Sequence, residues 1–514
     1  MANLSNPLRR FSALAHASAL GCCLLLSGCM VGPKYHTPAA TTPQAGPPPA
    51  AYQESPTQFH DSDGWKVAQP QDAMLRGKWW EIYHDPELNA LEDQLNIDNQ
   101  NIRQFFENFM EARSIIAEAQ SQLYPTVSIG PSYNRSKSSG NLGTSTIANA
   151  GQQSSIGSLP ATISWEPDLW GRVRNTIRNA QYSAQLSAAD LENERLTEQA
   201  SLAVFFFQIR GQDALQQILN DTVEADKKSL ELTQSLYETG IDDRISVVEA
   251  ENTLQNAQST ALNLGVARAQ YQHAIAVLIG ANASSFTIPV RASLVDPPPI
   301  PVGLPSQLLE RRPDVAASER SMAAANAEIG IAYAAFYPTL ALSAGGGFES
   351  STFKHLFDYS SRFWSIGPTV SETVFDAGLR RATVHQYVSI YNADLAAYRQ
   401  TVLTAFQQVE DYLAAVRILS QQILEQQQAV KSAQEFVTLE TARYQTGVDP
   451  YVNVVTAQTT LLADQEGLAT LHVQEMAASV QLIEALGGGW DRSQLPTPSQ
   501  VSHSIPKAET TIQK

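Results

Sequence analysis

Two hydrophobic rhythms alternate along the chain. From Thr126 to Tyr133, Val127, Ile129 and Tyr133 fall on one side, and Thr126, Ser128, Gly130 and Ser132 on the other. The same period of two returns in Ala161, Ile163 and Trp165 against Thr162, Ser164 and Glu166. It appears again in Leu340 and Leu342 against Thr339, Ala341 and Ser343, and in Trp364, Ile366 and Val370 against Ser365, Gly367 and Thr369. A period of two predicts strands, so residues 125–167 and 338–374 read as two strand–loop–strand hairpins. Their loops are expected at 136–158, rich in Ser, Gly, Asn and Thr, and at 350–362.

Elsewhere the spacing is helical. Val416, Leu419, Ile423, Gln426, Val430, Ala433, Val437, Glu440 and Tyr444 step alternately by three and four residues, a seam for lengthwise packing. Helices are predicted over 86–123, 173–239, from the 240 turn to Gly280, over 306–336, up to Thr446, and over 449–486. The helix to residue 239 would be a rod of roughly 95 Å. Asp85-Pro86 and Asp449-Pro450 each suit an N-cap followed by a first-turn proline.

The plan is duplicated. Tyr237-Glu-Thr-Gly-Ile-Asp-Asp and Tyr444-Gln-Thr-Gly-Val-Asp-Pro are helix–turn–helix segments 207 residues apart. Gly240 and Gly447 suit the left-handed position that closes a helix. Asp168-Leu-Trp-Gly-Arg172 has a counterpart in Asp376-Ala-Gly-Leu-Arg380, and Tyr124-Pro125-Thr126 in Tyr337-Pro338-Thr339. The expected divisions are a first repeat at 85–280, a linker at 281–305, a second repeat at 306–488 and a polar, loose tail at 489–514.

Composition adds a compartment. The three cysteines are Cys22, Cys23 and Cys29. Arg9 and Arg10 precede an apolar run from Phe11 to Leu26, as in a secretory signal. Leu26-Ser27-Gly28-Cys29 then resembles a bacterial lipobox, with residues 1–28 removed and Cys29 lipidated. The covalent lipid would be an S-diacylglycerol with an N-palmitoyl group, and no other cofactor is expected. Met30 in place of Asp favours the outer membrane. Residues 29–84 begin as a Pro/Ala/Thr/Gln tether. The net charge of −17 excludes nucleic acid as a partner, which calls for clustered Lys and Arg.

Strands of about ten residues with one apolar and one Ser/Thr/Gly face suit lipid outside and water inside. Four strands cannot close a barrel, and open edges are not tolerated in lipid. Two chains would pool eight strands, which side chains nearly fill; three would pool twelve, enough for an open lumen. The expectation is therefore an α+β membrane protein: a homotrimer with a twelve-stranded transmembrane β-barrel, four strands per chain, continued by an α-helical tunnel. Both tip turns would lie at its far end, where Asp242, Asp243, Arg244 and Asp449 repeat around the axis. Rings of carboxylates at a constriction bind cations and repel anions.

No catalytic constellation emerges. Arg311-Arg312-Pro313-Asp314 reads as a helix start, with Asp314 able to cap. Gly345-Gly346-Gly347 lacks the Lys and Ser/Thr of a phosphate loop and reads as strand glycine at a crowded or bent place. The nine histidines show no spacing such as His-Glu-x-x-His, so no metal ligand is named.

Several segments carry a resemblance: Cys29-Met-Val-Gly-Pro-Lys-Tyr35, Trp79-Trp80 with Asp85-Pro-Glu-Leu88, Leu304-Pro-Ser-Gln-Leu-Leu-Glu-Arg-Arg-Pro-Asp314, Tyr337-Pro-Thr, and both tip turns. In these the sequence resembles the bacterial outer-membrane efflux protein family (TolC-like), in its NodT-like, RND-type lipoprotein branch. The resemblance implies a trimeric barrel with a periplasmic helical tunnel and an equatorial girdle drawn from 30–84, 281–305 and the tail. It implies a periplasmic adaptor and an inner-membrane RND-type pump as partners. Adaptor contact would centre on Tyr237, Gly240, Tyr444 and Gly447, and the tunnel would narrow at Tyr444 and Asp449. Some members place a basic residue at the Asp449 position; with the signs reversed here, Arg244 is the expected partner of Asp449. A duct for type I protein secretion and a lipid-anchored structural coiled coil are the alternative readings.

Overall fold

The computed structural model describes residues 30–41, 46, 52–54, 77–139, 153–300 and 308–502. Cys29 and the signal segment lie outside the described residues.

Two pairs of equal helices dominate the chain. Helices α3 (Arg172–Glu238) and α7 (Leu379–Gln445) each have 67 residues, about 100 Å of rod. Helices α4 (Arg244–Leu278) and α8 (Tyr451–Ala485) each have 35 and fold back along their partners from the tip turns. The buried face of α7 runs through Tyr398, Val402, Ala405, Val409, Leu413, Val416, Ile423, Ala433 and Tyr444. That is the expected seam, extended toward the N-terminus. Other seam positions are polar by necessity: the Gln426 amide donates to the Asp464 carbonyl of α8 at 3.0 Å.

The first long helix predicted by the spacing is two helices, α1 (Pro86–Asp98) and α2 (Gln100–Ser121). Asn99 divides them in extended backbone and caps the second through Ile102 N–H. The same side chain donates to the carbonyl of Leu278 at 2.9 Å, so one amide starts α2 and closes α4. The 306–336 prediction divides likewise into α5 (Leu308–Arg311) and α6 (Pro313–Ala334), because the residue before a proline leaves the helical region. Arg312 is the N-cap residue of α6. Its guanidinium holds Asp314 and donates to the Ala485 carbonyl at 2.9 Å. This run is a joint between the start of α6 and the end of α8.

The strands are β1 (Thr126–Ile129), β2 (Ser132–Lys137), β3 (Gln153–Trp165), β4 (Thr339–Ser350) and β5 (Arg362–Ser371). All pairings are antiparallel, in the order β1–β3–β4–β5, with β2 continuing β1 along β3. The break between β1 and β2 falls at Gly130-Pro131, where Gly130 N–H donates to the Pro160 carbonyl. The loop expected over 136–158 is therefore shorter, since residues 153–158 are strand. Serines hold that ladder without large side chains: Ser132 meets Ser158 at 2.8 Å and Ser136 meets Ser154 at 3.1 Å. Gly347 pairs with Pro160, and a Cβ there would lie 2.2 Å from the Leu159 carbonyl oxygen. This glycine marks a close approach of two backbones.

The main core lies about halfway along α3. It gathers Trp79 and Trp80, Leu88 and Leu95 of α1, Leu202, Phe206 and Ile209 of α3, and Ile483 of α8. The N-terminal stretch is not a loose tether where it is described. Val31 N–H donates to the Trp170 carbonyl, Tyr35 bonds Glu319 of α6, and Glu54 pairs with Arg417 of α7. The tail is also docked as far as Ser502, in the short helix α9 (Pro498–Ser502), whose Val501 is buried.

Candidate functional site at the helical tips

Both helices that reach the tips end identically. Gly240 and Gly447 have φ of +75° and +70°. Ile241 N–H bonds the Leu236 carbonyl and Gly240 N–H that of Tyr237. Val448 to Arg443 and Gly447 to Tyr444 repeat the pattern. This is the paired Schellman closure, which calls for glycine because only it enters the left-handed region without cost.

The restarts differ. Asp243 caps α4, accepting from the amides of Ile245 and Ser246. Asp449 was expected to cap α8 and does not. Pro450 occupies the N-cap position without a side-chain cap, and the Asp449 carboxylate is taken by Arg443, six residues back on the same hairpin. Within the chain, Arg443 replaces Arg244 as its partner. Arg443 was legible as a cation six residues before an acid, but linear spacing did not favour it over Arg244. The guanidinium beside Asp449 holds its carboxyl below the usual range.

The twin tyrosines separate most sharply. Tyr237 is 42% exposed, whereas Tyr444 is 5% exposed. Tyr444 packs with Ala250, Tyr451 and Val454, its ring centroid 5.2 Å from that of Tyr451. Its hydroxyl donates to Asp242 Oδ2 at 2.5 Å, joining the second hairpin to the first. Asp242 also accepts from its neighbour's amide and from Ser246 Oγ. Burial alone would raise the Asp242 carboxyl, but these three donors bring it below its usual value. Burial, and then the bond to Asp242, push the Tyr444 hydroxyl well up. The structure thus brings Tyr444 and Asp242 together, uses Asp243 as a cap, and leaves Tyr237 on the surface.

At the opposite end the chain presents its sheet. Val127, Ile129, Ile163, Leu340, Leu342, Trp364, Ile366 and Val370 share one face in register; Trp364 is 80% exposed. The other face carries hydroxyl pairs, Ser128 with Thr162 and Thr339 with Ser371. Among the described residues, strands β1–β2 and β5 each have a partner on one side only. No described helix is long and apolar enough to cross a membrane.

Rods joined at paired tips and crowned by a two-faced sheet match a known family: the model of the outer membrane efflux protein covers residues 91–281 and 304–488. The chain belongs to the outer membrane efflux protein family. Among this family's members, the toluene efflux pump outer membrane protein TtgC of Pseudomonas putida is 29% identical over 484 residues, covering 94% of this chain and 97% of the relative. OprJ of Pseudomonas aeruginosa, an outer membrane protein, is 29% identical over 484 residues, covering 92% and 96%. The solved outer-membrane channel OprN superposes with a TM-score of 0.79 at 26% identity, covering 90% of this chain and all of that one. The chain is thus an outer-membrane efflux component, and its family is not one of enzymes.

Proposed function

We propose that three copies of this chain close a twelve-stranded barrel, four strands each, and that their rods form a tunnel leading to it. The observation that carries this is the sheet. One face is apolar and exposed, the other is laced with hydroxyls, and two edges lack partners among the described residues. In lipid, unpaired edge amides and carbonyls cost several kcal/mol each, so the sheet is sound only when neighbouring copies extend it. The duct serves as the passive exit of a tripartite efflux system, with a periplasmic adaptor and an RND-type inner-membrane pump as partners. No step of it requires catalysis.

Cys29 carries the lipid in this reading. Met30, the next residue, packs against Gly171 at the start of α3, six residues beyond the last strand residue Trp165. A lipid on residue 29 would therefore lie beside the barrel base, where a membrane leaflet is within reach.

The tip of the second hairpin is the gate. Tyr444 and Asp242 tie it to the first hairpin, and Asp449, Asp242, Asp243 and Arg244 recur threefold around the axis. Tyr237, Gly240, Tyr444 and Gly447 mark the turns on which the adaptor docks. Detergent-extracted protein should migrate as a trimer before heating and as a monomer after it, and should conduct in a planar bilayer. A monodisperse, silent monomer would overturn the proposal.

A further inference from the structure

Away from both sheet and tips, Asp296, His472 and Glu475 converge. His472 and Glu475 are three apart on α8 and so share one side of it; Asp296 comes from the proline-rich linker after α4. One donor atom from each lies within 4.8 Å of the others, and His472 Nδ1 stands 3.4 Å from Asp296 Oδ1. Two observations mark these groups as wanting a partner. His472 Nδ1 is buried without a hydrogen bond. Glu475 is 5% exposed and accepts no hydrogen bond among the described residues. A buried carboxylate without donors is costly unless a cation meets it.

We propose that Asp296, His472 and Glu475 hold a divalent transition-metal ion, with zinc the leading candidate. One imidazole and two carboxylates suit that class, and their two negative charges neutralise it. Donors about 2.1 Å from a shared ion lie roughly 3–4 Å apart, so the observed spread closes with a small movement of Asp296. The Asp296 side chain is exposed, so a change of its rotamer meets little packing. Beside the carboxylates a cavity of about 370 Å³, lined in part by Ser420, Gln427 and Ser479, leaves room for water ligands. The ion would staple the linker to α8, fixing a segment that otherwise crosses the helices with little regular structure.

This proposal stands independently of the channel reading. The full chain, extracted in detergent and stripped with chelator, is dialysed against zinc, and bound metal is measured by mass spectrometry. About one zinc per chain is expected, with Kd weakened at least tenfold in Asp296→Asn and further in His472→Ala. Zinc should also slow proteolysis within residues 281–300 in wild type but not in Asp296→Asn, a surface change that leaves α8 intact. A wild type that retains no zinc overturns the proposal. So does equal retention by both variants, which would place the metal elsewhere.

Discussion

The two tips share one turn and differ in what surrounds it. Each closes a 67-residue helix with a left-handed glycine and the same pair of backbone bonds. Yet Tyr237 faces outward while Tyr444 is buried and bonded to Asp242. The first hairpin is self-contained: Asp243 caps its own helix. The second relies on the first for the hydroxyl of Tyr444, and spends its acid on Arg443. The turn is thus a property of local sequence, whereas the lock is a property of packing between hairpins. In the duct we propose, the second tip is the part that must be released to open.

The comparison breaks most visibly at the tyrosines. Tyr444→Ala removes a buried aromatic and should cost about 3 kcal/mol, read as a lower Tm and faster hydrogen exchange over 230–260 and 440–460. Tyr237→Ala, on the surface, should stay within about 0.5 kcal/mol. Equal effects would erase the asymmetry.

The glycines should behave alike. Gly240→Ala and Gly447→Ala each force a left-handed Ala at a place where the added Cβ meets nothing, so each should cost about 1–2 kcal/mol. A large difference would mean that the shared turn is not the local device described.

Asp226 sharpens the picture beneath the second tip. It is 2% exposed, and its Oδ2 has no partner; burial pushes it up to about 6 from its usual 3.8. The folded chain therefore holds a proton that the unfolded chain gives up, and stability falls as pH rises from about 4 through about 6. Asp226→Asn should remove that slope and add about 1 kcal/mol above pH 6, checked by thermal melts across pH. At the solvent-screened pair with Asp449, Arg443→Ala should shift the same melts little, and less still at high salt.

Much of this was legible before any coordinates. Period-two patterning found all four strand positions, and the duplicated turns found both tips, because each signal is local. The breaks at Asn99 and Arg312 were missed for different reasons. Asn99 is held by the distant Leu278 carbonyl, whereas the run before Pro313 was read as a helix start while the predicted helix still ran unbroken over 306–336. The serine-rich ends of β2 and β3 lacked apolar alternation, so cross-strand hydroxyl pairs stayed invisible. At the tips, Asp449 looked like a cap because Pro450 followed it; only the fold brings Arg443 round to compete. Asp242 gave no linear hint that it would receive Tyr444, 202 residues away. The His472/Glu475 spacing was visible, but its third member lies across the fold.

Single-channel recording in planar bilayers tests the account most directly. Wild type should give small, uniform conductance steps, Tyr444→Phe combined with Asp242→Ala should give larger ones, and Tyr237→Phe should match wild type. Silence from a correctly folded wild type would contradict the duct, and unchanged steps in the double variant would contradict the lock.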